Sequence, residues 1–111
     1  MKEMTSRQDA DAALGEETAL VFKHSTMCPI SANASREMES LLKGGEPVPV
    51  YSVDVNAQRE VSDYLAERTG VEHQSPQVIV VRGGKAQWNA DRFDITAGSV
   101  RDGLGLATPG A

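Results

Sequence analysis

The chemistry available to this chain centres on one thiol. Its 111 residues include one cysteine, Cys28, which is followed directly by Pro29 and then, two residues further on, by Ser31. A cysteine thiolate is a strong nucleophile, whereas a cysteine of ordinary pKa usually behaves as a small buried apolar residue. The surroundings of Cys28 therefore decide whether this chain performs thiol chemistry.

The position of Cys28 along the chain favours the reactive form. The apolar run from Thr18 to Lys23 predicts a buried strand, and Pro29 suits the first position of a helix, where its missing N–H costs nothing. Cys28 is thus expected at the start of a helix, where unpaired N–H groups and the helix dipole favour a thiolate. From these residues alone, a buried and unreactive thiol remains the alternative.

A proline before a strand is the second feature that bears on chemistry. Pro76 directly precedes the β-branched run over 77–81, which is the strongest strand signal in the chain. Such a proline either begins a strand or forms a cis turn, and its type alone does not decide between them.

Hydrophobic periodicity and turn residues predict the elements that position these residues. In order they are a helix from Thr5 or Ser6 to about Leu14, a strand over 18–23, a helix from Pro29 to Gly44-Gly45, a strand over 48–55, a helix around 61–68 ended by Gly70, a strand over 77–81, a hairpin turn at 82–85, a returning strand from Ala86, and a last helix after Thr96. Glycines at 98, 103 and 105 are expected to weaken that last helix. The order predicts one α/β domain over residues 1–111, with helices on both faces of a mixed sheet and a loose tail at 106–111.

Composition and charge limit the class of protein. The formal net charge is −5, and the 11 Lys and Arg residues form no dense cluster, so we expect no nucleic-acid partner. The chain has no run of about 18 apolar residues, so we expect no membrane span. The N-terminal stretch lacks the apolar segment of a secretory signal, and one cysteine suits a reducing compartment, which predicts a cytoplasmic protein.

The cysteine at a helix start and the proline before a strand together resemble the thioredoxin fold. More closely, the segments FKHSTMCPISANA (22–34), TGVEHQSPQ (69–77) and GKAQWNA (84–90) resemble the monothiol bacilliredoxins, the YtxJ-like proteins of the bacillithiol system. The resemblance implies a thioredoxin-like α/β fold, in which a central mixed four-stranded sheet is flanked by helices and an extra helix lies at the N-terminus.

The same resemblance implies a thiol–disulfide oxidoreductase that removes bacillithiol, or a similar small thiol, from mixed disulfides on client proteins. Cys28 is then the catalytic residue, and bacillithiol is a co-substrate, with no other cofactor and no metal. Ser31 stands where dithiol relatives carry a second cysteine, and Phe22 where they often carry a buried acid, so an external thiol must release Cys28. The substrate-binding residues that the resemblance implies are Thr26, Met27, Pro29, Ser31, His73, Ser75 and Pro76.

The roles of three of these residues stay open. Ser31 either hydrogen-bonds the Cys28 sulfur or only continues the helix. Pro76, if cis as in the family, places the Ser75 backbone beside Cys28, where an extended substrate pairs with it; otherwise it is purely structural. His73 either donates to a carboxylate of the small thiol or is an exposed histidine with no role at the site.

Two other functions compete with this interpretation. One is a non-catalytic adaptor that holds a partner on the surface around Ser75 and Pro76. The other is a redox sensor or an iron–sulfur binder like some monothiol glutaredoxins. Against the latter, residues 28–31 read Cys-Pro-Ile-Ser rather than the Cys-Gly-Phe-Ser of those proteins.

Overall fold

Continuous apolar runs form the central strands of a sheet that helices cover on both faces. The computed structural model describes residues 1–105, so the predicted loose tail at 106–111 lies outside the described residues. The helices are α1 (Arg7–Leu14), α2 (Pro29–Leu42), α3 (Arg59–Thr69) and α4 (Ala97–Leu104), with a short 3₁₀ helix at Arg92–Asp94. The strands are β1 (Lys2–Glu3), β2 (Thr18–His24), β3 (Val50–Asp54), β4 (Gln77–Arg82) and β5 (Lys85–Asp91).

The strands form one mixed sheet in the order β1-β3-β2-β4-β5. Strands β2 and β3 are joined through α2 and are parallel, with Lys23 opposite Val53, whereas β4 is antiparallel to β2 and places Gln77 opposite Lys23. The predicted turn joins β4 to β5, and both of its glycines, Gly83 and Gly84, have positive φ. The carboxyl ends of β2 and β3 therefore meet the amino end of β4 at one edge of the sheet, which we call the site edge.

The sheet has five strands rather than the four predicted. The additional strand is β1, in which Lys2 and Glu3 pair in parallel with Tyr51 and Ser52, and the Met4 N–H donates to the Ser52 carbonyl at 2.7 Å. Two exposed charged residues have neither apolar alternation nor β-branched side chains, so the sequence holds no strand signal there. The fold class is otherwise the predicted one, and α1 is the additional N-terminal helix.

Two apolar layers fix the helices to the sheet. Val21 and Leu65 belong to the layer under α1 and α3, whereas Phe22 and Met38 belong to the layer under α2 and α4, and all four are buried. Each such side chain contributes about 1.5–3 kcal/mol when it leaves water. Because side chains alternate along a strand, Lys23 lies on the same face as Val21 and points towards the α1–α3 layer.

The last helix, α4, forms although it contains and is followed by glycine. Thr96 caps it as predicted and accepts a hydrogen bond from the Ser99 N–H at 3.0 Å. Gly105 ends it in a left-handed conformation, with φ of 76°. Gly103 lies against Trp88, where a Cβ atom would come within 2.4 Å of the indole ring. This glycine therefore allows α4 to approach β5 closely.

Candidate active site

Cys28 lies at the site edge, in the connection between β2 and α2. It is a free thiol of intermediate exposure, and it occupies the N-cap position of α2 in an extended conformation, with Pro29 as the first helical residue. The predicted place of Cys28 at a helix start is therefore confirmed. The first N–H groups of the helix have no intrahelical acceptor, so they remain available to an anion at this end.

These N–H groups lower the pKa of the Cys28 thiol. The backbone N–H of Ser31 contributes most and that of Ile30 next; burial opposes them, while the Ser31 hydroxyl and the Arg92 guanidinium act weakly in the lowering direction. Since the thiolate is the nucleophile, a lower pKa enlarges the reactive fraction at neutral pH.

Ser31 does more than continue the helix. Only 1% of it is exposed, and its hydroxyl oxygen accepts a hydrogen bond of 3.0 Å from the Ser25 N–H. The same hydroxyl helps to lower the pKa of Cys28. Ser31 therefore fixes the loop before Cys28 and also favours the thiolate. A direct hydrogen bond from its hydroxyl to the Cys28 sulfur stays a prediction.

The second wall of the site is the segment around Pro76. The Ser75–Pro76 peptide bond is cis, and Pro76 is buried. The Pro76 carbonyl accepts a hydrogen bond of 3.0 Å from the Arg92 N–H. The Ser75 hydroxyl is buried and has no hydrogen-bond partner within residues 1–105.

Arg92 is a site residue that the sequence analysis missed. It follows β5 directly, and its φ of 52° places it in the left-handed region, which is uncommon for a residue other than glycine. Its guanidinium lies 3.5 Å from the Gln74 side-chain oxygen and contributes to the lowered pKa of Cys28. No sequence signal marks a single arginine as a neighbour of a distant cysteine, since the β4–β5 hairpin alone brings it there.

Three predicted binding residues lie around the thiol on the surface. Thr26 and Pro29 are exposed, and Met27 is 82% exposed although it is apolar. The Met27 N–H donates to the Ser25 hydroxyl at 3.2 Å, which orders the loop that carries Cys28. Their proposed role in binding a substrate stays a prediction.

His73 makes its hydrogen bonds on the α3 face of the sheet rather than with Cys28. Its Nδ1 atom lies 3.2 Å from both the Lys23 ammonium nitrogen and the Ser62 hydroxyl. An ammonium group only donates, so Nδ1 accepts and Nε2 carries the ring proton. Burial, together with the charge of Lys23, lowers the pKa of His73 and favours the neutral ring.

The arrangement offers one activated sulfur without an internal partner. The chain has a single cysteine, so every disulfide formed at Cys28 joins it to another molecule. Between residues 1 and 105, no three His, Cys, Asp or Glu side chains are grouped so that they could hold a metal ion. None of the helices in this described region has the length and apolar character needed to cross a membrane.

Three features together define the class of protein as a thioredoxin-fold thiol–disulfide oxidoreductase. They are the topology of the mixed sheet, the cysteine at the start of α2, and the cis-proline at the same edge of the sheet. A solved structure described as a candidate oxidoreductase with a thioredoxin fold is 32% identical over 93% of this chain and 92% of its own, with a TM-score of 0.85. Two thioredoxins share the fold. Thioredoxin from Trypanosoma brucei brucei is 18% identical over 93% of this chain and 86% of its own, with a TM-score of 0.76. Mitochondrial thioredoxin 3 from Saccharomyces cerevisiae is 10% identical over 95% of this chain and 93% of its own, with a TM-score of 0.74.

The family follows from the sequence match. Residues 2–100 match the family model of the monothiol bacilliredoxin BrxC. The chain belongs to the monothiol bacilliredoxin family, and it is a thiol–disulfide oxidoreductase. The resemblance stated from the three sequence segments is thereby confirmed.

Proposed function

We propose that this chain removes bacillithiol, or a closely similar small thiol, from mixed disulfides on client proteins. The observation that carries the proposal is the solitary thiol: Cys28 faces the first N–H groups of α2, and the buried residue three positions on is Ser31. Family membership supports bacillithiol as the small thiol. We place the activity in the cytoplasm, where free thiols stay reduced.

The cycle consists of two thiol–disulfide exchanges. In the first, the Cys28 thiolate attacks the small-thiol sulfur of the mixed disulfide; a bond forms between these two sulfurs, the original S–S bond breaks, and the client leaves as a thiolate. In the second, the thiolate of another small-thiol molecule attacks the small-thiol sulfur held on Cys28. That step yields the symmetric small-thiol disulfide and restores the Cys28 thiolate, so electrons balance with the small thiol as the only reductant.

The other wall of the site has a part in binding the client. The backbone of Ser75, before the cis bond to Pro76, offers an edge with which an extended client segment pairs by strand addition. The Arg92 guanidinium supplies positive charge at the same place and favours the departing and attacking thiolates.

The test uses a peptide with one cysteine joined to bacillithiol by a disulfide bond. With free bacillithiol present, wild type should release the reduced peptide, and without it wild type should gain the mass of one bacillithiol. Cys28→Ser, the matched control, should do neither. If wild type binds the peptide but leaves its disulfide intact, the proposal fails.

A further inference from the structure

A polar pocket lies beside the reactive loop, and the cycle described above leaves it unused. It has a volume of about 260 Å³ and is lined by Val55, Asn56, Arg59, Ser62, Asp63 and His73. We call it the α3 pocket, because three of these residues belong to α3 and the others come from the two connections that flank it. Arg59 and Asp63 are exposed and lie one turn apart on that helix.

A buried cation lies next to His73, one of the residues that line the α3 pocket. Lys23 is 0% exposed, and its ammonium nitrogen lies 3.2 Å from the Nδ1 atom of His73, a lining residue. Within residues 1–105, no carboxylate lies within 4.0 Å of this nitrogen. A buried charge is costly unless it is paired, so a lysine at this position is hard to explain by packing alone.

The rim of the α3 pocket is joined to the loop that carries Cys28. The Asn56 side-chain amide donates to the Ser25 hydroxyl at 2.8 Å, and the Ser25 N–H donates to the Ser31 hydroxyl at 3.0 Å. Since β2 and β3 are parallel neighbours, the residues that follow them lie at the same edge. The α3 pocket and Cys28 therefore lie at the same edge of the sheet, linked through Asn56, Ser25 and Ser31.

We propose that the α3 pocket binds a carboxylate of the small thiol whose sulfur reacts at Cys28. Arg59 offers a planar fork of donors suited to a carboxylate, the protonated Nε2 of His73 offers another donor, and Lys23 adds charge from behind. Asp63 disfavours a dianion such as phosphate and accepts hydrogen bonds from hydroxyl or amino groups next to the carboxylate. The inference rests on the proposed function and adds the chemical class of its small substrate.

The test compares two symmetric disulfides, 3,3′-dithiodipropionate, which has two carboxylates, and bis(2-hydroxyethyl) disulfide, which has none. Intact mass gives the rate at which each adds to Cys28. Both rates depend in the same way on the fraction of Cys28 that is thiolate, so their ratio does not change when a variant alters the pKa of Cys28. Arg59→Gln should lower the ratio of carboxylate to hydroxyethyl rates by about fivefold, the scale of one partly exposed ion pair. Lys85→Gln, which removes one positive charge at the hairpin on the opposite edge, should leave the ratio unchanged.

An unchanged ratio in Arg59→Gln overturns the inference, and so does an equal fall in both variants, because that result reports only net charge. A second measurement needs no reaction at Cys28. In Cys28→Ala, 3,3′-dithiodipropionate should shift the amide resonances of Asn56, Ser62 and His73, and the absence of shifts there overturns the inference. If wild type leaves the bacillithiol–peptide disulfide intact but these shifts occur, the proposed function fails while the pocket stands.

Discussion

At the residue scale, groups of three kinds act on the Cys28 thiol. They are the backbone N–H groups of Ser31 and Ile30, the Ser31 hydroxyl, and the charge of Arg92, and each lowers the pKa of the thiol. The N–H groups and Ser31 were predictable from sequence, because a proline marks the helix start and fixes the positions that follow. Arg92 was not, since its approach depends on the path of the β4–β5 hairpin.

Arg92 provides a test of the electrostatic part of this environment. Arg92→Gly should raise the pKa of Cys28 relative to wild type, because the positive charge is lost, while glycine accepts the left-handed φ of 52°. Stability should stay within about 1 kcal/mol of wild type. Arg92→Lys keeps the charge and should leave the pKa of Cys28 close to that of wild type. Alkylation rates measured across pH give these values, and equal pKa values in all three proteins would show that Arg92 does not act on the sulfur.

At the element scale, the caps explain why most boundaries were predictable. Ser6 and Thr96 accept hydrogen bonds from the first turns of α1 and α4, and Gly70 ends α3 with φ of 73°. Helix propensity alone predicts the same effect for each glycine of α4, namely a less stable helix. The structure separates them, because Gly103 lies against Trp88 whereas a Cβ atom at Gly98 would meet only the Thr96 hydroxyl, at ordinary contact distance.

These two glycines should respond to alanine in opposite ways. Gly103→Ala places a Cβ atom against the indole of Trp88 and should destabilise the fold by about 1–3 kcal/mol, as overpacking does. Gly98→Ala meets only the Thr96 hydroxyl at 4.0 Å and should stabilise by up to about 1 kcal/mol through helix propensity. Urea unfolding measures both. Equal stabilisation by the two substitutions would mean that α4 does not pack on Trp88 as described.

At the scale of the whole molecule, the mainly apolar layer under α1 and α3 contains one buried lysine, together with the buried polar residues Ser62 and Gln77. The order of elements and the two layers follow from apolar periodicity, but nothing in the sequence marks Lys23, at the end of a predicted strand, as a buried residue. The structure places it at 0% exposure on the same face as Val21, beside His73 and Ser62. The α3 pocket was not predictable from the sequence either, because its residues come from three separate segments of the chain.

Lys23 should make stability depend on pH. Burial lowers its pKa to about 8, and Asp63 opposes that shift only in part; His73 and Arg59 are the other titratable or charged groups nearby. Between about pH 8 and the ordinary lysine range, the unfolded chain binds more protons than the folded one, so the free energy of unfolding should rise with pH. Lys23→Met should flatten that rise in urea titrations at several pH values. An identical slope in both proteins would mean that Lys23 keeps its ordinary pKa.

The central claim is that the fold makes Cys28 a reactive thiolate at the start of α2. The most direct measurement is the rate of Cys28 alkylation by iodoacetamide as a function of pH, in the folded protein and in the urea-unfolded chain. The account predicts that the rate reaches its half-maximum at a lower pH in the folded protein, because the N–H groups of Ser31 and Ile30 favour the thiolate only there. A half-maximum at the same or a higher pH in the folded protein would contradict it.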